Sequence, residues 1–255
     1  MNVTATHIAE LAEYLRKGSR ILVFTGAGVS TTSGIPDYRG PQGVWKTETP
    51  VFYQEFMTDY AERVRYWQQK VDADDAWGKA QPNGVHRALV DLERAGKLEM
   101  VVTQNVDGLH SAAGTSDERL VEIHGTVRLV ECQTCGEETD PEPHYAAFRE
   151  TGEPPVCHCG GLLKPATISF GQNLDVFEVE RARSAALSCD LVLALGSTLS
   201  VYPAAAVPLT AAERGVPYVI VNRGATDHDF KSCVSLRIDG DVSEIVPPAV
   251  AAALA

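Results

Sequence analysis

The strongest constraint on the fold is the stretch Ile21–Gly40, which reads ILVFTGAGVSTTSGIPDYRG. An apolar run, Ile21–Phe24, leads almost directly into Gly26-Ala27-Gly28 and then into several hydroxyl residues. A short apolar run bounded by turn formers predicts a buried strand of a parallel sheet. Glycines allow a sharp turn and the close approach of a ligand, and hydroxyl residues cap helices. We therefore predict a strand, a glycine turn and a helix start, which together can cradle a phosphate with free N–H groups.

The glycine turn alone leaves an ordinary strand-to-helix turn as an alternative. A dinucleotide-binding G-x-G-x-x-G would have a third glycine at position 31, where Thr31 stands, and the next glycine is Gly34. Asp37 and Arg39 follow on a segment bounded by prolines, which disfavours a continuous helix there. On a loop beside the cleft, Arg39 could meet a phosphate, and Asp37 could hold a ribose or fix the arginine. A surface ion pair is the alternative.

Length, charge and cysteine content narrow the class of protein. The chain has 255 residues, enough for one sizeable domain with a smaller module, and its hydrophobic content of 44% is that of a globular protein. A net charge of −12 argues against general nucleic-acid binding and suits lysine-rich peptides, although solubility explains the charge equally well. No apolar run approaches the ~20 residues of a membrane span, and the polar N-terminus does not resemble a secretory signal. We expect a cytoplasmic protein without a membrane partner.

Four of the six cysteines have the spacing of metal ligands. Cys132, Cys135, Cys157 and Cys159 form the pattern C-x2-C-x21-C-x-C, with a glycine after each pair. Four thiolates satisfy tetrahedral zinc and leave no open position, so this pattern predicts one structural zinc ion. His158 could replace one cysteine, and redox or disulfide use is the alternative, but a reducing cytoplasm suits free thiols.

Polar residues follow four further strand candidates, and the carboxyl ends of parallel strands meet at one edge of a sheet. The runs are Gln104-Asn105-Val106-Asp107 after Met100–Thr103, His124 after Leu120–Ile123, Gly196-Ser197-Thr198 after Leu191–Leu195, and Asn222-Arg223-Gly224 after Tyr218–Val221. A self-capped turn is the alternative for the first run, and a structural histidine is the alternative for His124.

These elements predict an α/β fold with a Rossmann-like, doubly wound parallel sheet. We assign residues 1–40, 81–126 and 165–255 to this domain. Two insertions, a cap of short helices at 41–80 and the cysteine segment at 127–164, would form a smaller domain across a cleft. We predict a last helix from Val242 that Pro247-Pro248 terminate or bend.

Six motifs together resemble the sirtuin family of NAD-dependent protein lysine deacylases. They are GAGVSTTSGIPDYRG, the Q-N-x-D run at 104–107, E-I-H-G at 122–125, the four cysteines, KPATISFGQ at 164–172, and G-S-T-L-S-V-Y-P at 196–203. They occur in the family's order, and the resemblance extends from Gly26 to Val242. It implies NAD as co-substrate and a structural zinc ion.

The resemblance also implies roles for individual residues. His124 would be the general base, Asn105 would orient the nicotinamide ribose and a water, and Asp107 would help to hold the carboxamide. Further cofactor contacts would be Gly26, Ala27, Gly28, Ser30, Ile35, Asp37, Tyr38, Arg39, Gln104, Gly196, Ser197, Thr198, Asn222, Arg223, Gly224, Asp241 and Val242. The substrate peptide would lie along Phe170, Gly171, Gln172 and Val201, with Gln172 in place of the family's glutamate.

The implied activity is removal of an acyl group from lysine, with release of nicotinamide and O-acyl-ADP-ribose. Family members that prefer succinyl or malonyl groups carry Tyr-x-x-Arg in the cap. The nearest match here is Tyr66-Trp67-Gln68-Gln69, with Arg63 and Arg65 nearby, so we expect acetyl or other uncharged acyl groups. Mono-ADP-ribosyl transfer and a non-catalytic NAD-sensing zinc protein are the alternatives. The presence of Asn105, Asp107 and His124 argues against loss of catalysis.

Overall fold

The computed structural model describes residues 3–38, 40, 43–46 and 48–255, and Arg39 lies outside them. The strands of the described part are β1 Ile21–Thr25, β2 Leu98–Thr103, β3 Leu120–Glu122, β4 Gly125–Cys132, β5 Glu138–Thr139, β6 Leu163–Thr167, β7 Leu191–Leu195, β8 Tyr218–Asn222 and β9 Leu236–Asp239. The α-helices there are α1 Val3–Lys17, α2 Tyr53–Thr58, α3 Tyr60–Trp77, α4 Gly84–Arg94, α5 Leu109–Ala113, α6 Glu142–Thr151, α7 Val176–Ser188, α8 Ala206–Ala212 and α9 Val242–Leu254.

One parallel sheet organises the larger part of the molecule. Its strand order is β3-β2-β1-β7-β8-β9. The central strands β1, β7 and β8 are buried on both faces, as their apolar sequences predict. The order reverses between β1 and β7, and in sheets of this type the ligand crevice lies at that point. The predicted doubly wound sheet is confirmed.

Helices cover both faces of this sheet. On one face, α1 and α4 bury Leu15 and Leu89 against Val23, and α9 packs beside them. On the other face, α7 buries Ala185 in the cluster that contains Phe24. Alternate residues of β1 therefore contribute to opposite cores, because successive side chains of a strand point to opposite faces.

The smaller part joins the helical segment to the cysteine segment. Antiparallel strands form a second sheet in the order β5-β4-β6. Trp67 of α3 is fully buried, packs edge-on against Tyr145 and stacks on Phe148 of α6. Its Nε1 donates a hydrogen bond of 3.1 Å to Leu163 O of β6. A separate hydrophobic cluster thus links the two insertions, while the exact domain limits stay a prediction.

Two predictions about helices are met only in part. The cap contains one helix of 18 residues, α3, which begins where the Asp59 side chain accepts from Ala61 N at 2.8 Å. The last helix, α9, is not terminated at Pro247 and Pro248 but continues to Leu254. Proline removes helical hydrogen bonds, yet the neighbouring residues Val246, Ala249 and Val250 are buried in the core. Their burial outweighs the lost bonds.

In the described part of the chain, none of the helices combines the length and the apolar character needed to cross a bilayer.

The glycine turn after β1 and the turn after β7 contact each other through their backbones, at the point where the strand order reverses. The N–H of Gly26 donates to Leu195 O at 3.0 Å, and that of Gly28 donates to Gly196 O at 2.9 Å. A Cβ atom on Gly28 would lie 2.7 Å from Gly196 Cα, and Gly196 itself has a φ of +59°. Only glycine permits this approach, so the contact depends on the glycine turn.

Replacing Gly28 by alanine should lower the free energy of unfolding by about 1–3 kcal/mol, the usual cost of overpacking, because its neighbour is backbone that cannot move aside. Gly84→Ala is the matched control, since a Cβ there would be 3.4 Å from Pro247 Cγ, an ordinary contact. Urea unfolding measures both changes. Equal effects of the two substitutions would contradict the steric explanation.

Candidate functional site

The loops after the parallel strands surround a cavity of about 1250 Å³. This volume exceeds the roughly 300–1,000 Å³ of ordinary small-molecule sites, so it has room for a dinucleotide together with a peptide segment. The predicted site residues that line it are Gly26, Ala27, Gly28, Asp37, Tyr38, Gln104, Asn105, His124, Phe170, Gly171, Gln172, Gly196, Ser197, Thr198, Val201, Asn222, Arg223 and Gly224. The structure therefore brings the predicted strand-end residues together.

Five predicted contacts in the described part of the chain are not among the residues that line the cavity. They are Ser30, Ile35, Asp107, Asp241 and Val242. Ser30 is 1% exposed and Val242 is 4% exposed within the hydrophobic core. The Asp241 carboxylate accepts from Ser243 N at the start of α9 and also pairs with Arg223.

The glycine turn differs from the predicted phosphate cradle. Its residues form two short 3₁₀ segments, Ala27–Val29 and Thr31–Ser33. The N–H of Val29 donates to Gly26 O, and the N–H of Ser30 donates to Ala27 O. Because Gly28 N is also bonded, these three N–H groups are not free donors. At these positions the turn offers a small surface, and the expectation of free N–H donors does not hold for these three groups.

A hydrogen-bonded network orients Asn105. Its Nδ2 donates to Gly26 O and to Ser30 Oγ, each at 3.1 Å. Ser30 Oγ donates to Asp107 Oδ2 at 2.7 Å, and Leu109 N donates to Asp107 Oδ1 at 2.9 Å. Since both amide hydrogens of Asn105 are used, Oδ1 is the atom left to accept from a ligand. Asp107 thus helps to orient the Asn105 side chain through the Ser30 hydroxyl.

The tautomer of His124 follows from its hydrogen bond. Its Nδ1 lies 3.1 Å from Gln104 O, which can only accept, so Nδ1 carries the proton and Nε2 has the free electron pair. Burial lowers the pKa of His124 below its ordinary value, and the bond to Gln104 partly opposes this. A neutral imidazole with a free Nε2 in a cavity can accept a proton near neutral pH.

Side-chain bonds also join the strand ends to each other. Ser197 Oγ donates to Gln104 Oε1 at 2.7 Å, which connects the residues after β7 and β2. At the end of β8, Asn222 Nδ2 donates to the carbonyls of Arg223 and Gly224 at 3.1 Å. Near the glycine turn, Asp37 Oδ1 accepts from Gly40 N at 2.7 Å and closes its own loop.

The segment after β6 forms another wall. The N–H of Tyr53 donates to Phe170 O at 2.9 Å, and the Phe52 and Phe170 rings lie 5.8 Å apart. Gln172 Oε1 accepts from Ser169 N at 3.1 Å and closes a turn. A carboxylate could accept the same bond, so the glutamine at this position preserves the turn while removing a charge.

Helix α3 contributes a face that the strand-end reasoning missed. Tyr66, Gln69, Lys70, Ala73 and Trp77 line the cavity. These positions recur at helical spacing and therefore share one face of α3. In the sequence, this spacing and the small residue Ala73 among charged neighbours were the signals for a cavity-facing side of the helix.

The four predicted cysteine ligands come together at the end of the second sheet. The Sγ atoms of Cys132 and Cys159 are 3.6 Å apart, and those of Cys135 and Cys157 are 3.8 Å apart. A tetrahedron with metal–sulfur bonds of about 2.3 Å has edges of about 3.8 Å. All four Sγ atoms lie within 4.8 Å of one another, so the thiolates fit a zinc ion.

Backbone N–H groups donate to two of these sulfur atoms and favour the thiolate form of Cys132. The N–H groups of Thr134 and Cys135 approach Cys132 Sγ at 3.5 Å, and that of Cys135 lowers the pKa of the Cys132 thiol to about 6. The N–H of Gly161 donates to Cys159 Sγ at 3.4 Å. His158 Nδ1 lies 2.9 Å from Glu137 Oε2, and the ligand set is the predicted four thiolates.

This fold and site define a class: an α/β protein with a cleft at the carboxyl edge of a parallel sheet and a closed four-thiolate metal module. The model of the Sir2 family matches residues 26–203. The chain belongs to the Sir2 family, as the motifs predicted.

Relatives match over most of the chain. An NAD-dependent protein deacetylase of Rhodopseudomonas palustris is 38% identical over 244 residues, covering 95% of this chain and 96% of the relative. NAD-dependent protein deacetylase 2 of Streptomyces coelicolor is 43% identical over 215 residues, covering 82% and 88%.

Solved Sir2 structures share the fold. A structure from work on the mechanism and regulation of Sir2 enzymes superposes with a TM-score of 0.86 at 34% identity, covering 97% of this chain and 98% of that one. A complex described as Sir2 with a p53 peptide and NAD+ has a TM-score of 0.79 at 33% identity, covering 94% and 95%.

Cys159→Ser should release zinc and lower the melting temperature, because structural zinc contributes directly to folding. Metal analysis of purified protein and thermal unfolding measure the two effects. The matched control is Cys233→Ser, a partly exposed cysteine outside the cluster, which should keep one zinc per chain. A full zinc content in the Cys159 variant would contradict the assignment.

Proposed function

We propose that this protein is an NAD-dependent protein lysine deacetylase. The observation that carries the proposal is the placement of His124, with a free Nε2, in the same cavity as the glycine turn. The names of the relatives and their similarity over nearly the whole chain support the same activity. The substrate class would be proteins or peptides with acyl-lysine.

In the proposed reaction, the carbonyl oxygen of acyl-lysine would attack the ribose carbon as nicotinamide leaves, and the acyl carbon would then pass to a ribose hydroxyl oxygen. One water would be consumed as the lysine amine is released, which leaves O-acyl-ADP-ribose. His124 Nε2 would accept the proton of a ribose hydroxyl, so that the sugar oxygen can attack the acyl carbon. The Gln104 carbonyl would stabilise the imidazolium that forms, because it accepts the other ring N–H.

Asn105 and Asp107 would serve the nicotinamide side. Asn105 is 7% exposed, and the two bonds of its Nδ2 would direct Oδ1 toward a ribose hydroxyl or a water. Asp107 would orient Asn105 through Ser30. Because Asp107 does not line the cavity, it would contact the nicotinamide amide only if the ligand reaches past the lining residues. Asn222 and Gly224, after β8, would serve the adenosine side.

We also propose a preference for uncharged acyl groups. Tyr66 and Gln69 both line the cavity, and Gln69 stands where family members that prefer succinyl or malonyl groups have arginine. Arg63 donates to Phe56 O. Arg65 donates to the cavity-lining carbonyl of Thr49, which also accepts from Gln69 Nε2, and it pairs with Glu62, so both guanidinium groups already have partners.

The zinc ion would be structural, and the substrate peptide would lie along Phe170 and Gly171. A cytoplasmic location remains a prediction, supported by thiols arranged as metal ligands.

ADP-ribosyl transfer would leave stable label from NAD on protein without acyl-lysine. A non-catalytic NAD sensor would bind NAD and release no nicotinamide with any acyl peptide.

His124→Ala should reduce turnover of an acetyl-lysine peptide by about 10²- to 10⁴-fold, the usual contribution of a general base. Nicotinamide release from NAD measures turnover, and exchange of labelled nicotinamide into NAD should persist because it needs no base. The control His7→Ala, on α1, should act like the wild type. Undiminished turnover in the His124 variant, or release independent of peptide, would refute the assignment.

His124 also determines the acid limb of the pH profile of the proposed activity. The base works only when neutral, and burial lowers its pKa below the ordinary 6.5. The value of kcat/KM, which reports the pKa of the free enzyme, should therefore stay constant down to about pH 6.5 and fall below it. A limb centred above pH 7 would assign the base to another group.

The acetyl form of a peptide should have a higher kcat/KM than its succinyl form. Gln69→Arg should shift this ratio toward succinyl by about tenfold or more, the effect of one charged hydrogen bond of ~1.5 kcal/mol. The matched control is Gln68→Arg, whose native side chain is exposed and donates to Asp72. A wild-type preference for succinyl would overturn the proposal for this pocket.

A further inference from the structure

Lys164 is a lysine side chain in the interior, and the proposed chemistry does not use it. It lies on β6 and is 1% exposed. A buried ammonium group costs several kcal/mol unless hydrogen bonds replace its water. Burial lowers the pKa of Lys164, and the neighbouring Tyr66 opposes this effect.

The contacts of Lys164 replace its hydration. Nζ donates to Pro165 O at 3.1 Å and to Thr167 O, and it lies 5.5 Å from the centre of the Tyr66 ring. Two carbonyls and one aromatic face suit an ammonium group. Burial alone would raise the pKa of Tyr66, but Lys164 and Lys70 outweigh it and lower this pKa to about 8.

These contacts converge on the segment where β6 enters the cavity. The hydroxyls of Tyr66 and Thr167 are 3.1 Å apart, which connects α3 to β6. The next residue, Ile168, donates its N–H to His124 O at 2.7 Å. Thr167 and Ile168 both line the cavity. Lys164 therefore holds one end of a segment whose other bonds reach helix α3 and His124.

We propose that Lys164 is a positioning residue for acyl-lysine. Through the carbonyls of Pro165 and Thr167, it fixes the Thr167–Phe170 wall against which the acyl-lysine lies. Through Ile168 it also fixes the backbone of His124. Its ammonium group acts by hydrogen bonding and does not touch the substrate. This inference rests on the proposed deacetylase function.

The test compares Lys164→Met, which keeps length and removes the donors, with Lys164→Arg, which keeps charge and donors. In Lys164→Met, KM for the acetyl-lysine peptide should rise at least tenfold, and KM for NAD should stay within twofold. The adenosine-side loops follow strands of the six-stranded sheet, whereas β6 belongs to the separate three-stranded sheet, so these loops should not change. Lys164→Arg should stay within threefold of the wild type in both constants.

Phe148→Leu is the control for a merely structural role. Phe148 belongs to the same hydrophobic cluster as Leu163 and stacks on Trp67, but it lies on α6, whereas Thr167 lies on β6. This variant should lower the melting temperature while leaving the peptide KM within twofold. Activities are compared at a temperature where every variant is folded. An equal rise in peptide KM in Phe148→Leu, or impairment of Lys164→Arg equal to that of Lys164→Met, would overturn the inference.

Amide hydrogen exchange tests the same inference without any turnover. The Ile168 N–H, bonded to His124 O, should exchange at least tenfold faster in Lys164→Met than in Phe148→Leu. Unchanged exchange at Ile168 would overturn the role of Lys164, even if the wild type is an active deacetylase. Absence of nicotinamide release from the wild type would refute the proposed function and leave the exchange result to decide on Lys164.

Discussion

The close approach of two backbone turns is the constraint on which the site depends. Gly28 and Gly196 follow neighbouring parallel strands, and the N–H of the first donates to the carbonyl of the second at 2.9 Å. Side chains at either position would separate the turns. Because the strand order reverses between these strands, the contact also sets the floor of the crevice in which a ligand can bind.

Backbone carbonyls then orient the side chains that can perform chemistry. Gly26 O accepts from Asn105 Nδ2, and Gln104 O accepts from His124 Nδ1. A carbonyl cannot donate, so each contact determines which end of the amide or imidazole faces the cavity. The glycine turn, the strand end after β2 and the histidine loop therefore form one rigid arrangement. Because the acceptors are backbone carbonyls, orienting Asn105 and His124 in this way does not restrict a second side chain and costs no side-chain entropy there.

Local patterns predicted the parts of the site that depend on short segments. The spacing of Cys132, Cys135, Cys157 and Cys159 predicted the thiolate cluster, because each pair forms one tight knuckle. Apolar runs predicted the central strands, and polar residues after them predicted the edge of the sheet. The length of α3 and the continuity of α9 through its prolines were not predictable, since both depend on burial against other segments.

The amino-acid order alone established which residues could meet: a glycine turn, polar strand ends, a histidine and four thiols, all recognisable from neighbours in the chain. Folding determined which atoms are free. The N–H groups of Val29 and Ser30 are used within the turn, and His124 has only Nε2 available. Lys164 looks in the sequence like a surface lysine and is an interior donor in the fold. Hydrogen-bond partners distant in the chain decide such outcomes, and no local pattern encodes them.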